Sequence, residues 1–302
     1  MVTQFVNKHI TRVLAAGGTV ADTTWLAAVD AWITSQGLYG NLFEWANPAI
    51  GVIKNGSNQI SKIMGLGTTW LPRLGDLTPS APASTTYDAT GVSSQPAWTS
   101  TSSAYSYWGA ARGGTIRVEH IRRKHHQGFT VVAVYKKTHA NVSSMLGLGQ
   151  FGGITLQNTA GAPGSCKFTV GPIGGTVFSD THGTTLANSA VHIIGGTFDG
   201  NTVTSYVEGV AGSGSSGYIA ANAGDNQYRP LLGGANLVNQ FYYALVSGSS
   251  TSSYTLSTTG TTRAITSTTN EADMSISDLI IFDTALTPTQ MASLNTLLRT
   301  RY

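Results

Sequence analysis

The chain has 302 residues and a mass of 31.5 kDa, enough for one large all-β domain or two ordinary domains. Only 10% of the residues are charged and 41% are hydrophobic, a composition that excludes charge-driven disorder. The net charge of +3 is too small to indicate nucleic-acid binding by itself. Ser, Thr and Gly make up 107 of the 302 residues, and this mixture favours strands and tight turns over long helices.

The chain contains a single cysteine, Cys166, so no internal disulfide can form. This is compatible with folding in a reducing cytoplasm. The first ten residues lack the apolar core and the cleavage site of a signal peptide. No run of about 18 apolar residues is present, so we expect no membrane span.

The segment 1–75 is predicted to be helical and rich in aromatic residues. In DTTWLAAVDAWITSQG (22–37), apolar residues recur at helical spacing, a capping residue lies within 22–24, and Gly37 is placed to end the helix. LYGNLFEWANP (38–48) keeps nearly helical spacing and predicts a second, aromatic helix. Such a stripe packs on its own domain or on a neighbouring subunit. We predict an attachment arm whose partner-binding residues are Trp25, Trp32, Phe43 and Trp45.

The remainder of the chain divides into two parts. Residues 76–114 are rich in Ser, Thr and Pro and are predicted to connect the arm to residues 115–302. From residue 115 onward, nine or more strand-like runs alternate with glycine turns, which predicts an all-β sandwich or barrel. The run GFTVVAVYKK (128–137) is apolar on both faces and is therefore expected to be a central strand. Residues 247–269 are almost wholly Ser, Thr and Gly and predict a long exposed loop or hairpin.

A second helix is predicted at the end of the chain. Thr287 and Gln290 have the spacing of a capping box, with Pro288 at the first helical position. The residues that follow place a set of apolar side chains on one face, which is expected to pack against the sandwich: Met291, Leu294, Leu297 and Leu298.

Residues 115–302 resemble the laminin-G-like branch of the concanavalin A-like jelly-roll sandwiches. The resemblance rests on AVHIIGGTFDGNTVTSYVEG (190–209) and on the closing segment from residue 276 to the end of the chain. Within the first stretch, the run from Asp199 to Asn201 is a turn signal and predicts a hairpin between two strands. Glu208 stands where that family usually has Asp. The resemblance implies an all-β jelly-roll β-sandwich, here with an N-terminal helical arm and a short C-terminal helix. The matching positions are His192, Phe198, Asp199, Gly200, Tyr206, Gly209, Asp283, Leu286 and Tyr302.

The order of a helix, an aromatic segment and a jelly-roll is similar to the arrangement in structural proteins of tailed bacteriophages. The stretch GLYGNLFEWANPAIG (37–51) carries this resemblance. It implies a virion subunit made in the host cytoplasm, either a head decoration or a fibre protein. The partners that it implies are other virion proteins and further copies of the same chain.

A basic cluster lies within residues 117–137, and four of the seven histidines are close to it. One interpretation is a contact for an acidic polysaccharide, a nucleic acid or an acidic subunit. The other is a solvated turn whose charges prevent aggregation. We expect no nucleic-acid partner. The candidate contact residues are Arg122, Arg123, Lys124, Lys136 and Lys137.

Motifs for catalysis are incomplete. Glu271 and Asp273 begin the carboxylate pattern of a glycanase on this fold, but Ile276 occupies its third position. GLGQFG (147–152) matches a dinucleotide-binding string, yet a strand rather than a helix is predicted after it. We therefore predict no catalytic residue, no cofactor and no assignable metal site, although loop carboxylates could hold calcium: Asp180, Asp199 and Asp225.

Three functions follow in order of preference. The first is a non-enzymatic virion structural protein that acts by protein binding, with glycan binding as a further possibility. The alternative is a carbohydrate-binding protein, either a receptor-binding protein of the tail that binds a host polysaccharide or a free lectin. A glycanase is the third. In the carbohydrate-binding alternative, the candidates for stacking on sugars are Trp108, Tyr218, Tyr228, Tyr242 and Tyr243.

Overall fold

The computed structural model describes residues 4–54, 60–67, 106–108, 115–119, 128–137, 143–148, 153–159, 164–171, 176, 178–187, 190–218, 240–244 and 274–302. Within these residues the chain is mostly antiparallel β-sheet with few helices. In chain order the elements are α1 (Gln4–Ala15), α2 (Thr23–Ser35), β1 (Leu42–Ala46), β2 (Val52–Lys54), β3 (Ile60–Ile63), β4 (Ser106–Trp108), β5 (Thr115–Glu119), β6 (Phe129–Lys137), β7 (Ser143–Leu148), β8 (Gly153–Asn158), β9 (Gly164–Gly171), β10 (Phe178–Leu186), β11 (Val191–Phe198), β12 (Val203–Val207), β13 (Val210–Ala211), β14 (Gln240–Ala244), β15 (Met274–Phe282) and α3 (Pro288–Arg299).

Two large sheets share one hydrophobic core. The seven-stranded sheet has the order β1-β15-β6-β11-β12-β13, with β4 also paired to β15, and the six-stranded sheet has the order β10-β9-β8-β7-β14-β5. Side chains from both sheets belong to one buried cluster, which includes Val131, Ile194, Leu156 and Phe168. The two sheets therefore pack face to face as a β-sandwich.

The prediction that residues 128–137 form a central strand is confirmed. The strand β6 lies between β15 and β11 and pairs antiparallel with both. Val131 and Tyr135 face the core between the sheets, whereas Val132 and Val134 belong to a second buried cluster on the other side of the sheet. A strand covered on both faces needs apolar residues at every position, which is the pattern that the sequence has.

The predicted hairpin around Asp199 is present between β11 and β12. Asp199 Oδ1 accepts hydrogen bonds from the backbone N–H groups of Asn201 (2.8 Å) and Thr202 (2.7 Å), and this stabilises the turn. The next turn, between β12 and β13, uses the left-handed conformation at Glu208 (φ 52°) and Gly209 (φ 75°). Glu208, which departs from the resembled pattern, accepts a hydrogen bond from the N–H of Ile193.

The predicted C-terminal helix is also confirmed. The hydroxyl of Thr287 accepts from the N–H of Gln290, and the Gln290 side chain accepts from the N–H of Thr287, which completes the capping box. Met291, Leu294 and Leu298 are buried in the second hydrophobic cluster, against the seven-stranded sheet. The local capping signal and the apolar spacing therefore identify both the start and the buried face of α3.

Of the two N-terminal helices, the sequence analysis identified one. The helix α2 is capped by Asp22, whose Oδ1 accepts from the N–H of Trp25 at 2.8 Å, and Gly37 follows the helix at φ 66°. The helix α1 was not predicted. Its buried face consists of Val6, His9 and Val13, and a histidine in the stripe weakens the apolar pattern.

The prediction of a second aromatic helix after Gly37 is wrong. Residues 42–46 form the strand β1, all five residues of which are buried, and β1 pairs with β15 at the edge of the seven-stranded sheet. Short apolar runs fit a buried strand as well as a buried helix, so spacing alone does not distinguish them. Pairing with β15 satisfies the backbone groups of this buried segment.

The boundaries predicted at residues 75 and 115 do not coincide with the limits of the sandwich. β1 comes from the predicted arm, and β4 comes from the predicted connecting segment 76–114. Both strands pair with β15. The described part of residues 1–75 is thus integrated into the sandwich, and this corrects the prediction of an extended arm. The predicted loop 247–269 lies outside the described residues.

A buried polar network fastens the N-terminal segment to the sandwich. Asp278, fully buried on β15, accepts hydrogen bonds from Trp45 Nε1 (2.7 Å), Asn47 Nδ2 (2.7 Å) and the Tyr302 hydroxyl (2.5 Å). We call these four residues the Asp278 clasp. It joins positions more than 230 residues apart in the sequence. Burial is the largest influence on Asp278 and raises the pKa of its carboxyl, while the three hydrogen bonds oppose that rise.

None of the helices in the described part of the chain is both long and apolar enough to cross a membrane.

Candidate functional site

The two sheets have very different outer faces. Helices α2 and α3 bury the outer face of the seven-stranded sheet, in a cluster that includes Trp32, Val134, Ile280 and Leu294. The six-stranded sheet has no described helix or strand packed on its outer face. Its described outward-facing side chains on β9 and β10 are exposed or half-exposed.

Alternation along β9 and β10 produces this exposed face. On β9, Cys166 and Phe168 are buried between the sheets, while Lys167 and the residues on either side of this run point outward. Five of the six outward side chains carry a hydroxyl group and the sixth is a lysine. We call this set the hydroxyl face, and it consists of Ser165, Lys167, Thr169, Ser179, Thr181 and Thr185.

The strand register arranges the hydroxyl face in rows. Thr169 lies opposite Ser179, Lys167 opposite Thr181, and Ser165 opposite Thr185. Directly opposed residues have Cβ atoms about 4.5–5.5 Å apart, so each row forms a pair of adjacent polar groups. The same register continues into β8, where Thr155 is opposite Thr169 and Gln157 is opposite Lys167.

Lys167 is the one positive charge of the hydroxyl face. Its described neighbours across and along the strands are Thr181, Ser165 and Thr169, none of which is acidic. It forms no ion pair with any residue in the described ranges. The face therefore offers hydroxyl groups, which donate and accept hydrogen bonds, together with one ammonium group that has no ion-pair partner among the described residues.

Buried polar contacts hold the strands of the hydroxyl face in place. Asp180, on the inner side of β10, accepts from both the N–H and the hydroxyl of Ser205 on β12 at 2.7 Å. The Cys166 thiol lies 3.8 Å from the carbonyl oxygen of Gly195 on β11. Burial raises the pKa of this thiol to about 12, so it is a neutral core group at pH 7. Both contacts join the two sheets beneath the exposed side chains.

The four predicted partner-binding aromatic residues lie in the interior. Trp45 is fully buried and Trp32, the most exposed of the four, is only 8% exposed. The indole N–H of Trp32 donates to the Ser293 hydroxyl on α3 at 3.0 Å, and the rings of Trp25 and Trp32 each pack edge-on against Trp45. We therefore correct the prediction for this set: its surface is buried within the chain itself and not against a partner. The set is Trp25, Trp32, Phe43 and Trp45.

The basic cluster and most candidate aromatic residues are not tested. Arg122, Arg123 and Lys124 lie outside the described residues, as does Tyr228. Lys136 and Lys137 lie on β6, and their side chains are not described. The same holds for Trp108, Tyr242 and Tyr243 on β4 and β14.

Of the candidate tyrosines, Tyr218 can be assigned to the core and position 242 can be assigned to one face of the six-stranded sheet. Tyr218 is fully buried against Phe198, with ring centroids 4.8 Å apart, so it belongs to the core. Directly paired residues of neighbouring strands lie on the same face of a sheet. Ala244 pairs with Gly147 and Gly147 pairs with Thr155. Thr155 in turn pairs with Thr169, so Ala244 is on the same face as Thr169. Position 242 is two residues from Ala244 and so falls on the same face of the sheet as the hydroxyl face.

Two of the three carboxylates considered for calcium accept hydrogen bonds from the protein. Asp180 accepts a hydrogen bond from the Ser205 hydroxyl, and Asp199 accepts one from a backbone N–H of the hairpin turn. Asp225 lies outside the described residues. In the part of the chain that the structure describes, no three His, Cys, Asp or Glu side chains form a group suited to a metal ion. The glycanase pattern at Glu271 and Asp273 also lies outside those residues.

The sequence analysis did not identify the hydroxyl face. Its signal was present in the strict alternation of SCKFTV (165–170), in which each apolar residue is followed by a polar one. Alternation shows that one face of a strand is polar. It does not show which polar face remains uncovered, because that depends on where the helices pack.

Comparisons with known proteins give similarities of fold that are too weak to support an argument about function. No protein-family model and no curated protein matches the chain. The binding domain of Paraclostridial Mosquitocidal Protein 1 is 11% identical, with 85% of this chain and 52% of that chain covered and a TM-score of 0.45. Botulinum neurotoxin type C, described as dependent on two ganglioside molecules for cell entry, is 12% identical, with 62% and 40% covered and a TM-score of 0.40. The chain spans about half or less of these structures' lengths.

Proposed function

We propose that this protein is a non-catalytic carbohydrate-binding β-sandwich of the laminin-G-like jelly-roll type, and that it binds polysaccharide through the hydroxyl face. The observation that carries the proposal is the contrast between the outer faces: one is sealed by helices, and the other presents paired rows of hydroxyl groups around Lys167. This is the alternative function considered in the sequence analysis.

The chemistry of the hydroxyl face suits sugars. Each Ser or Thr hydroxyl both donates and accepts, as sugar hydroxyl groups do, so paired rows can exchange several hydrogen bonds with one chain. By its register, position 242 is on the same face of the sheet, and tyrosine is a residue type that stacks on sugars. The ganglioside dependence named for botulinum neurotoxin type C agrees with this proposal but does not carry it.

The phage resemblance supplies a biological setting for the proposal. In a virion, the same face would bind a host-surface polysaccharide, and repeated copies would strengthen weak binding through avidity. The head-decoration alternative, in which protein contacts dominate, now needs a surface other than the buried tryptophans. Both the virion location and the homo-oligomer stay predictions.

The test is a glycan array with the full chain, followed by titration of the best ligand. We expect Thr181→Val and Lys167→Gln to weaken binding, because the first removes a hydroxyl group from the face and the second removes its positive charge. Loss of a hydrogen bond costs about 0.5–1.5 kcal/mol, roughly a two- to twelvefold rise in Kd. Valine keeps the β-branched shape of threonine, so the strand itself is preserved.

Matched controls lie on the opposite side of the molecule. Thr289 and Lys8 are exposed on α3 and α1, and Thr289→Val and Lys8→Gln are expected to leave binding unchanged. Unaltered binding by the Thr181 and Lys167 variants would place the ligand elsewhere. An array without any bound glycan would reject the proposed function.

A further inference from the structure

The charged residues of the six-stranded sheet leave Lys167 without a neighbouring acid. The described strands of this sheet contain two acidic residues, Asp180 on β10 and Glu119 on β5. Asp180 points into the sandwich, where its Oδ2 accepts from the Ser205 hydroxyl at 2.7 Å. Glu119 is four strands away from β9, about 19 Å at the usual spacing of paired strands. Neither carboxylate therefore pairs with Lys167.

The other cation of these strands is Arg117, and its charge is matched on its own strand. In the backbone register Arg117 is opposite Tyr242 and Glu119 is opposite Gln240, so positions 117 and 119 fall on the same face of the sheet as the hydroxyl face. The two positions are neighbours along that face, and their residues have opposite charges. They add no net charge to it, so the unmatched charge of the described outer face is that of Lys167.

Lys167 is half-buried and has neutral residues on every described side. All of these neighbours are of types that can donate a hydrogen bond: Thr181, Gln157, Ser165 and Thr169. An ammonium group that is partly withdrawn from water attracts an anion more strongly than a fully exposed one does. An anionic ligand would therefore meet one charged donor with neutral donors in the adjacent positions.

The ligand that fits this arrangement carries a single negative charge and hydroxyl groups. A carboxylate has one charge and two accepting oxygen atoms, so one ammonium group neutralises it while neighbouring hydroxyl groups donate to it. Phosphate groups are more often bound by arginine forks or by helix N-termini, and the described residues around Lys167 provide neither. A uronic acid unit combines a carboxylate with ring hydroxyl groups.

We propose that the polysaccharide bound by the hydroxyl face is acidic and that Lys167 selects the carboxylate of a uronic acid unit. This inference rests on the proposed function, because it names the class of polysaccharide that the hydroxyl face binds. The ammonium group of Lys167 donates to one carboxylate oxygen, and the adjacent hydroxyl groups donate to the other. Lys167 thus discriminates between ligands by charge, whereas the rows farther from it bind acidic and neutral sugars alike.

The probes are oligosaccharides of galacturonic, glucuronic, mannuronic and guluronic acid, each compared with its own methyl ester in calorimetric titrations of the full chain. The ester keeps the linkage and the ring hydroxyl groups but has no charge. We expect at least one acid to bind with a Kd about tenfold lower than that of its ester, because hydrogen bonds to charged groups are the stronger ones.

Substitutions separate the selection of charge from the binding of sugar. Lys167→Gln keeps a polar side chain but removes the charge, so the acid and its ester are expected to bind equally. Lys167→Arg keeps the charge and is expected to retain most of the preference. Thr185→Val, one row away from Lys167, is expected to weaken both ligands by the same factor. Lys8→Gln makes the same change of charge on α1 and is expected to leave the preference unchanged.

The outcomes distinguish this inference from the proposed function. Equal binding of acid and ester by the parent chain would overturn the inference, as would a preference that persists in Lys167→Gln. Tighter binding of a sulfated oligosaccharide than of every uronic acid would overturn the assignment of a carboxylate. Binding of neutral glycans alone would overturn the inference and leave the proposed function standing, whereas absence of any bound glycan would reject both. Unchanged binding of the ester by Lys167→Gln shows that this variant is folded.

Discussion

The two outer faces of this sandwich belong to sheets of similar size, but helices cover one face, whereas the described side chains of the other are exposed or half-exposed. The seven-stranded sheet is covered by α2 and α3, and its buried outer residues include Trp45, Val134, Ile280 and the hydrogen-bonded Asp278. The six-stranded sheet presents hydroxyl groups and a lysine on its described outer face. Under the proposed function, the covered face stabilises the fold and the hydroxyl face binds the ligand, so stability and binding are located on opposite sides of the molecule.

The largest expected effect comes from Trp45, at the centre of the covered face. Trp45→Ala removes a fully buried ring and the indole N–H that donates to Asp278. We expect a loss of about 3–5 kcal/mol in the free energy of unfolding, measured by urea denaturation. Tyr39→Ala, at an exposed aromatic of the same segment, is expected to cost less than about 1 kcal/mol. A Trp45→Ala chain with unchanged stability would restore the interpretation of this segment as an independent arm.

The Asp278 clasp is expected to have the next largest effect. Asp278→Ala leaves the donors of Trp45 and Tyr302 buried without their acceptor, and leaves the Asn47 amide with the Tyr302 hydroxyl as its acceptor. We expect a loss of about 3 kcal/mol by urea denaturation, because unsatisfied buried donors keep their full desolvation cost. Asp283→Ala is the control: Asp283 is only half-buried and accepts from Asn41, so a loss of about 1 kcal/mol is expected. Equal losses of unfolding free energy in the two variants would show that the Asp278 clasp stabilises the fold no more than the Asn41–Asp283 hydrogen bond does.

The clasp also predicts a pH dependence. Because burial raises the pKa of Asp278, the folded chain holds this proton more tightly than the unfolded chain, whose aspartate has the ordinary value of 3.8. The resulting stabilisation is fully present below pH 3.8 and is lost as the pH rises through the raised pKa. We expect the stability difference between the parent chain and Asp278→Asn to fall over that window. A stability difference that rises with pH would show that folding lowers the pKa of Asp278 instead of raising it.

A third prediction tests the hydrophobic core between the two sheets. A Cβ at Gly196 would lie 2.0 Å from the ring of Phe168 in the opposite sheet, so Gly196→Ala forces the sheets apart. We expect a loss of about 1–3 kcal/mol from overpacking. At Gly183 an added Cβ meets nothing within 4 Å, and Gly183→Ala is expected to leave the unfolding midpoint nearly unchanged. Similar behaviour of the two alanine variants would mean that the sheets are not packed as closely as described.

Much of the fold could be predicted where the signal is local. The capping box of α3, the turn at Asp199 and the two-sided apolar pattern of β6 each lie within about ten residues of sequence, and the structure confirms all three. The clasp and the strand β1 depend on Asp278 and its neighbours, which are far away in the sequence. No local pattern distinguishes a tryptophan that packs in the core of its own chain from one that binds another protein. The tryptophans of the N-terminal segment were therefore predicted to form an attachment arm, although they belong to the core.

The candidate site was hidden for a related reason. Polar alternation in β9 is visible in the sequence, but exposure of that face is decided by the helices, which pack on the other sheet. Had α2 and α3 packed on β9 and β10, Lys167 and the hydroxyl groups would have been buried and unsatisfied, which is energetically unfavourable. The aromatic and aliphatic outer face of the seven-stranded sheet requires this cover, so the composition of the two faces determines which one remains open.

The smallest expected effect is the most direct test of this division. Thr181→Val and Lys167→Gln alter exposed or half-exposed side chains with no buried contact, so we expect each to change the free energy of unfolding by less than about 0.5 kcal/mol. The same two changes are expected to weaken glycan binding severalfold. If either substitution destabilised the chain by 2 kcal/mol or more, the face would be structural, with residues outside the described ranges packed on it. Stability that is preserved while binding is lost would assign the hydroxyl face to the ligand, because a substitution that leaves the fold intact can weaken binding only through the binding surface.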